Sequence, residues 1–481
     1  MDKPDKPTSN DKEEDVDSGR CHELHSNARH DLFNDDEAAV SFRGVSWQGA
    51  AIIIAKFQIG LGVLSLPSTF HTLGFFPGLL CFFVMAGMTT VAGYVCGNAR
   101  QYYPHMHSIG DASEMLFGQG AREAVGIVYY IYLALVSGAG MLTTSVALNA
   151  LSEHGACTMI FVAVACAAAF VLGTGLRSLE KVSWLSWVGV AGIIVAIWIV
   201  AIACLTQSRP AGAAASGPVD LDIRVFPNTT FSQAMSAVSN QLFAVGASGT
   251  FFSVSAEMKR PELSTRALIC GQSFIVMTGT IIASIVYGKV GQFLASPALG
   301  SAGPLIKKIS YGIAVPGLVV TTVLYSHITA KYSFVRMLRG TPDLQSNTVK
   351  HWVVWIGSML VTVALGFVVG GMVPFFDDFL GLVGALVNPI LTNIIPGFMI
   401  LFYLAERPRN ALMACASTWL PRAFKSYRHG WKDTVALVVA CFMLIAGALV
   451  IVGGTYATIV SIQTSYAVGA VTGVFSCADN S

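Results

Sequence analysis

Long apolar stretches alternate with short polar segments over most of the chain, from Val45 to Thr455. Apolar stretches of about 20 residues are typical of helices that cross a lipid bilayer. The pattern predicts eleven such spans, over residues 47–71, 75–97, 123–148, 158–172, 182–204, 231–254, 267–287, 311–335, 352–369, 379–404 and 434–452. The sequence therefore predicts an all-α polytopic membrane protein with eleven transmembrane helices.

The segments between the spans set the predicted organisation. The first residues are rich in acidic side chains and poor in large apolar ones, which is typical of a disordered tail. Residues 101–122 are polar and are predicted to form a short helix at the membrane surface. The predicted parts are an acidic cytoplasmic tail (1–44), a first five-helix repeat (45–206), an extracellular loop (207–230), a second five-helix repeat (231–405), a basic cytoplasmic loop (406–432), an eleventh helix (433–455) and an extracellular tail (456–481).

The distribution of lysine and arginine predicts the orientation. With the N-terminus inside, 23 of the 29 Lys and Arg residues fall on inside segments and five on outside segments, and Lys56 lies within a span. Cytoplasmic loops carry an excess of these residues, so we expect a cytoplasmic N-terminus and an extracellular C-terminus. The N-glycosylation sequon at Asn228 falls on an outside loop, as a used sequon must. The predicted location is the plasma membrane, with the vacuolar membrane as the alternative.

The composition excludes several classes of protein. The chain is 54% hydrophobic and 12% charged, which is about half the charged share of soluble domains. It has no GxxxxGK[ST] loop and no HExxH motif or nucleophile elbow in an apolar stretch. We therefore predict a bilayer protein with no enzyme activity, no cofactor, no metal site and no nucleic-acid partner. Most cysteines lie in apolar stretches as packed thiols, but Cys157 and Cys477 both fall on the predicted outer side, where a disulfide is an option.

Two features set the first span apart from a plain membrane anchor. It carries a lysine, Lys56, near its middle, and it is broken by Gly60-Leu61-Gly62 and closed by Pro67. An intramembrane charge marks a functional site by default. A broken helix is tolerated in a membrane only where its backbone is buried in protein or faces a cavity. We therefore predict a discontinuous helix that binds a ligand.

The sixth span has a matching break at Gly246-Ala247-Ser248-Gly249. Paired breaks at corresponding positions of two halves point to the binding site of a secondary transporter. Spans 1–5 and 6–10 then form two repeats of opposite orientation, and the two breaks lie side by side near the membrane midplane. For either break alone, close packing of helices at glycine is the alternative.

The free backbone groups at the two breaks suit an amino acid. After Gly62 a new half-helix begins, and its free N–H groups can hold a carboxylate. The unwound carbonyls of residues 243–246 can accept hydrogen bonds from an ammonium group. Lys56 is the one charge at this predicted pocket, which favours a neutral substrate. The candidate substrate-binding residues are Gln58, Ile59, Gly60, Leu61, Gly62, Val63 and Ser65 on the first span, and Phe243, Ala244, Gly246, Ser248, Gly249 and Phe251 on the sixth.

Four segments resemble the amino acid/auxin permease family, and most closely its fungal neutral amino acid permeases. They are QIGLGVLSLPSTFHTLGFFPG (58–78), SIGDASEMLFG (108–118), FSVSAEMKRP (252–261) and FFDDFLGLVGAL (375–386). The resemblance covers about Ser46 to Val452. It implies the inverted five-plus-five, LeuT-like fold of the amino acid–polyamine–organocation superfamily, with helices 1 and 6 discontinuous. It also implies import of neutral aliphatic and aromatic L-amino acids by symport, with protons rather than sodium as the coupling ion.

Candidates for coupling lie on the first and eighth spans. In the implied fold, the part of span 1 around Lys56 faces span 8, so its ammonium can take the place of a bound cation. Thr322, Ser326 and Thr329 are the expected oxygen partners. A lysine held away from water is also a candidate to carry the coupled proton, as is His327 among those hydroxyls. The alternatives are a lysine tied to backbone carbonyls and a histidine satisfied within the core.

Candidates for gating lie at the two ends of the bundle. Glu257 is followed by Lys259 and Arg260 at the predicted cytoplasmic end of span 6, which suggests a gate ion pair or an interfacial salt bridge. Asp377 and Asp378 lie at the predicted outer end of span 10. They are candidates for an outer gate or proton entry, with solvated acids at a helix start as the alternative.

Other functions remain open for the same fold. An amino-acid sensor would bind the same ligand and signal rather than transport it. A vacuolar exporter would differ from the predicted importer in its membrane. A channel is disfavoured, because no continuous polar stripe runs along several spans.

Overall fold

The computed structural model describes residues 44–103, 106–176, 179–214, 216–344, 346–372, 376–406, 419–425, 430–467 and 474–480. Most of these residues are helical, and among them there is no strand and one isolated bridge, between Val45 and Met258. All but the last residue of the predicted acidic tail, and much of the predicted basic loop 406–432, lie outside the described residues.

The helices follow the predicted spans closely. They are α1 Trp47–Ile59, α2 Gly62–Leu73, α3 Phe75–Tyr102, α4 Ile109–Phe117, α5 Gln119–Ser152, α6 Thr158–Gly175, α7 Leu179–Thr206, α8 Phe231–Val245, α9 Phe251–Ala256, α10 Ser264–Val290, α11 Pro304–Leu338, α12 Val349–Met372, α13 Phe376–Leu386, α14 Ile395–Glu406, α15 Trp419–Ala423, α16 Trp431–Leu449 and α17 Thr455–Ala467. A π-helical turn, Ile390–Ile394, leads from α13 into α14.

Eight described helices are long and apolar enough to cross a membrane, and ten if each bent pair counts as one span. The bent pairs are α1–α2, with an angle of 46°, and α13–α14, with an angle of 41°. The predicted sixth span is divided between α8 and α9 and is not among these. The all-α membrane architecture is therefore confirmed, whereas the number of eleven spans is not established.

Side-chain caps mark where several helices begin. Ser46 accepts a hydrogen bond from the Gly49 amide at the start of α1. Reciprocal capping boxes begin α4, between Ser108 and Asp111, and α8, between Thr230 and Gln233. Such caps satisfy amides that the helix itself leaves free. Helix α4 lies within residues 101–122, where the sequence predicts a short helix.

Burial places α11 at the centre of the bundle and the last helix at its edge. In the most apolar part of α11, 78% of residues are buried, against 22% in the segment of α16 and α17. The eighth span is therefore the scaffold against which the other spans are arranged.

The last helix is longer than the sequence predicts. Residues 456–481 are predicted as a tail, but a π-helical turn at Val450–Gly454 carries α16 directly into α17. The physical reason is packing. Gly453 and Gly454 are buried against Met235 and Ser239 of α8, so these glycines mark a close helix contact rather than a helix end.

The chain end is tied to the loop between α5 and α6. Cys157 and Cys477 form a disulfide, with their Cα atoms 4.5 Å apart, so this option from the sequence is confirmed. The Asn480 side chain accepts a hydrogen bond from Asn149 (2.7 Å) and donates one to Ser145 (3.2 Å). We call this end of the bundle the disulfide face. The opposite end, which carries Glu257, is the ion-pair face.

Candidate functional site

The two helix breaks lie in direct contact. Helix α1 ends at Ile59 and α2 begins at Gly62. A side chain at Gly62 would place its Cβ 2.8 Å from the carbonyl oxygen of Ala244, just before α8 ends. Gly62 has no side chain, so the start of α2 packs directly on the backbone of the second break. The predicted meeting of the breaks is therefore present in the fold.

The start of α2 presents backbone amides without a side-chain cap. Leu61 precedes the helix and makes no side-chain capping hydrogen bond. The Ser65 hydroxyl donates to the Gly62 carbonyl at 2.9 Å, so its oxygen remains able to accept. Free amides and the positive end of a helix dipole favour an anion such as a carboxylate.

Most of the carbonyls at the second break already accept a hydrogen bond. The Phe243 carbonyl accepts from the Gly246 amide (3.3 Å), and the Val245 carbonyl accepts from the Ala247 amide (3.2 Å). The Gly246 carbonyl accepts from the Tyr132 hydroxyl at 3.1 Å. The sequence offered residues 243–246 alike as acceptors. The structure reduces these four candidate acceptors to one, the Ala244 carbonyl, which faces Gly62.

The two aromatic candidates are buried, and each packs against a glycine of a neighbouring helix. Phe243 is buried against Gly384 of α13, and the ring of Phe251 is buried against Gly97 of α3. On α9's side of the break, Gly249 lies next to the ring of Tyr129, whose Cε2 would be 3.7 Å from a Cβ there. Of the remaining candidates, Ile59, Leu61 and Val63 are buried apolar residues, Gly60 packs on Thr321, and the side chain of Ser248 lies outside the described part.

Gln58 belongs to a polar chain that crosses three helices. Its side-chain amide donates to Gln272 of α10 at 2.8 Å, and Gln272 donates to Thr89 of α3 at 3.2 Å. This chain fixes the last turn of α1 just before the break. Gln58 is thus held by α10 and α3, a contact that the sequence did not predict.

Lys56 is fully buried one turn before the first break. Its ammonium donates a hydrogen bond to the Gly317 carbonyl of α11 at 2.8 Å, and its Cε would lie 3.1 Å from a Cβ at Gly189 of α7. A Cβ on Gly317 would lie 2.6 Å from the Gly189 carbonyl. The ammonium reaches α11 where two glycines allow close contact with α7.

Lys56 is bonded to a backbone carbonyl, the alternative that the sequence left open, and the hydroxyls expected as its partners make bonds of their own. Thr322 donates to the Leu318 carbonyl (3.1 Å), and Thr329 donates to the Tyr325 carbonyl (2.7 Å). Hydroxyls on a helix commonly bond to the carbonyl four residues earlier. Ser326 instead shares a hydrogen bond with Ser137 of α5, at 2.6 Å.

His327 lies on a different face of α11 from Lys56's partner. It is fully buried, and its ring centre is 5.3 Å from that of Trp355 on α12. The predicted coupling residues are therefore not gathered in one place on α11. The helix contacts Lys56 through Gly317, α5 through Ser326 and α12 through His327.

A buried ion pair closes the ion-pair face. The Lys331 ammonium lies 2.6 Å from the Glu257 carboxylate, and their side chains are 5% and 0% exposed. Glu257 also accepts a backbone bond at its carbonyl from the Val45 amide (3.0 Å), ahead of α1. The sequence suggested Lys259 or Arg260 as partners. The signal for the missed partner was a lysine near the C-terminal end of the predicted eighth span, at position 331.

A second set of charges surrounds α4 on the same face. Asp111 lies 2.7 Å from Arg339 and 3.4 Å from Arg122. Burial raises the pKa of Asp111, but the charge of Arg339 and the His107 amide outweigh it, so its pKa is held below the usual value. Asp111 is therefore a carboxylate that ties α4 to the end of α11.

At the other end of the bundle, the two acidic residues begin α13. Asp378 accepts a hydrogen bond from Ser461 of α17 at 2.7 Å. Asp377, the predicted gating residue, is partly buried beside it. The acid pair thus lies at the opposite end of the bundle from Glu257.

Comparisons with known proteins agree with this geometry. A family model described as transmembrane amino acid transporter protein matches residues 43–460. The chain is 30% identical over 452 residues to a transmembrane transporter of Gibberella moniliformis, covering 94% of this chain and 91% of that one. It is 27% identical over 451 residues to the N amino acid transport system protein of Neurospora crassa, covering 92% and 90%.

Solved structures show the same fold at low sequence identity. MhsT in complex with L-phenylalanine matches with a TM-score of 0.53 and 13% identity, over 84% of this chain and 100% of that chain. MHP1, a nucleobase-cation-symport-1 family transporter, matches with a TM-score of 0.52 and 15% identity, over 91% and 96%. The LeuT-like fold implied by the sequence, with helices 1 and 6 discontinuous, is confirmed.

Proposed function

Because the chain belongs to the transmembrane amino acid transporter family, we propose that it imports neutral aliphatic and aromatic L-amino acids by proton symport. Membership of this family makes the chain a secondary transporter of amino acids and not an enzyme. The observation that carries the proposal is the contact between Gly62 and Ala244, which joins the two helix breaks.

The break contact supports recognition of an α-amino acid. The uncapped amides at the start of α2 suit the substrate carboxylate. The Ala244 carbonyl suits the substrate ammonium, and buried Phe243 and Phe251 suit an apolar side chain. Residues 56–65 and 242–251 contain one ionisable side chain, Lys56. A site with no carboxylate and one engaged ammonium favours a neutral side chain over a dibasic or acidic one.

Lys56 supports proton coupling in place of sodium coupling. The ammonium of Lys56, buried between α1, α7 and α11, already supplies a positive charge at this contact, which favours a proton over a metal cation as the coupling ion. Transport then proceeds by alternating access, in which one bundle of helices rocks against another around residues 58–65 and 243–249.

Uptake of labelled amino acids tests the proposed function. In cells that lack their own permeases, we expect concentrative uptake of neutral amino acids, higher at acidic external pH and abolished by a protonophore. Replacing sodium by choline is expected to leave uptake unchanged. Uptake that depends on sodium and ignores the protonophore would exclude proton coupling, and uptake of only charged amino acids would exclude the neutral class.

We also propose that the disulfide face is extracellular and the ion-pair face cytoplasmic. Asn228 is exposed just before α8, on the disulfide side of that helix, and it belongs to the single N-x-S/T sequon in the sequence. Oxidising compartments favour disulfides, in agreement with this orientation.

Glycosidase digestion tests the orientation. In yeast membranes we expect a mobility shift that Asn228→Gln removes. Thr230→Ala is unsuited as a control, because Thr230 also caps α8, whereas Asn347→Gln, at an exposed position outside any sequon, is expected to keep the shift. An unshifted wild type whose N-terminal tag is reached by protease from outside intact cells would contradict the orientation.

A further inference from the structure

Two tyrosines bond to the backbone at the two breaks. The Tyr325 hydroxyl of α11 donates to the Phe57 carbonyl of α1 at 2.8 Å. The Tyr132 hydroxyl of α5 donates to the Gly246 carbonyl at 3.1 Å. Both tyrosines are buried, so each bond is made away from water.

Both carbonyls need such a partner. A helix leaves the carbonyls of its last turn without partners within the helix. Phe57 lies in the last turn of α1, and Gly246 follows the last residue of α8. In a membrane no water replaces the lost bond, and an unmade bond costs the free energy of desolvation. The tyrosines therefore stabilise the unwound form of each break.

The two bonds are related by the inverted repeat. Helix α5 is the third span of the first repeat and bonds to a break in the second. Helix α11 is the third span of the second repeat and bonds to a break in the first. Each repeat thus stabilises the helix break of the other repeat. Both tyrosines lie outside the sequence motifs at the breaks.

The helices that carry the two tyrosines, α5 and α11, are packed against each other. Ser137 of α5 and Ser326 of α11, next to Tyr325, lie 2.6 Å apart. A Cβ on Gly140 would lie 2.7 Å from the Thr322 hydroxyl, so the helices are in close contact there as well. With α5 and α11 fixed to each other, both hydroxyls are held in place relative to one scaffold while α1 and α8 carry their acceptors.

We propose that Tyr132 and Tyr325 are paired positioning residues, whose bonds to the Gly246 and Phe57 carbonyls favour the state in which the ion-pair face is closed. This inference rests on the proposed function, since it assigns the bonds a part in alternating access. An O–H···O bond is lost when the distance between its donor and acceptor oxygens grows by about 1 Å. Rocking of α1 and α8 on the scaffold therefore breaks both bonds together.

Tyr132→Phe and Tyr325→Phe test the proposal, since each removes one hydroxyl and keeps the ring. Each leaves a carbonyl unpaired in the closed state, which we expect to reduce its population relative to the open state by roughly 5- to 150-fold. The direct readout is thiol labelling of Ser255→Cys, a buried position on α9 behind the Glu257–Lys331 pair. Labelling is measured in permeabilised membranes and normalised to the amount of folded protein. The same protein without this cysteine gives the background.

We expect each variant to label at least 5-fold faster at position 255, with a changed ratio of maximal uptake rate to KM. Tyr130→Phe on α5 and Tyr311→Phe near the start of α11 are matched controls and are expected to behave as the parent protein. Unchanged labelling in both variants, whatever the uptake, would overturn the pairing. The labelling readout requires no substrate, so it is independent of whether neutral amino acids are transported. If one variant does not fold, the other decides the outcome.

Discussion

Replacing Lys56 by methionine is expected to abolish accumulation of substrate against its gradient while leaving the protein folded. Methionine is similar in length and shape to the apolar stem of lysine, so we expect the packing of this stem against Gly189 to be retained. The lost atom is the ammonium that joins α1 to the Gly317 carbonyl. We expect the ratio of internal to external substrate to fall at least about 10-fold, which corresponds to about 1.4 kcal/mol of lost driving force.

The measurement separates coupling from transport itself. Exchange of labelled for unlabelled substrate across the membrane needs the site and its rocking motion but no net driving force. We therefore expect exchange to persist in Lys56→Met while accumulation is lost. Lys289→Met, at the exposed end of α10, is the matched control and is expected to accumulate substrate normally. Concentrative uptake at the level of the parent protein in Lys56→Met would refute a coupling role for the ammonium.

The second large effect is expected at the ion-pair face. Glu257→Gln removes the carboxylate that lies 2.6 Å from the Lys331 ammonium, in a place where both side chains are nearly inaccessible. Removing one partner of a buried ion pair typically costs about 3–5 kcal/mol, because the remaining charge stays buried. We therefore expect a lower midpoint of thermal unfolding in detergent and reduced uptake.

A double-mutant cycle distinguishes the ion pair from general damage. Replacing both partners by neutral residues is often tolerated, so Glu257→Gln combined with Lys331→Met is expected to regain much of the lost thermal stability. The exposed pair of Glu153 and Lys308 on the disulfide face is the control, and Glu153→Gln is expected to leave the midpoint unchanged. Effects of Glu257→Gln and Lys331→Met that simply add would contradict an energetic coupling between the two residues.

The spans and both breaks were predictable because they follow from one-dimensional patterns. The length of an apolar stretch indicates whether it can form a membrane-spanning helix. Two of these stretches are interrupted at corresponding places by Gly60, Gly62 and Gly246. The short helix α4 was predictable for a similar reason, since a polar stretch carries its own capping box. These features need no knowledge of which helix lies beside which.

The partners within the site were not predictable, because they depend on how helices face each other. Lys56 bonds to the carbonyl of Gly317, and a carbonyl leaves no mark in the sequence. His327 follows Ser326 directly, yet neighbouring residues on a helix point about 100° apart, so it meets Trp355 instead. The Lys331 partner of Glu257 is 74 residues away and required the packing of α11 beside α9.

The Cys157–Cys477 bond turns most of the chain into a covalent ring, since the two cysteines are 320 residues apart in sequence. Helices α6 to α17 belong to this ring, and α1 to α5 are attached to it as a single open arm. A proteolytic nick inside the ring therefore leaves one molecule even after denaturation, until the bond is reduced. A nick between α2 and Cys157 instead gives two molecules on denaturation without any reduction, and it puts the two broken helices, which touch each other in the folded protein, on different fragments.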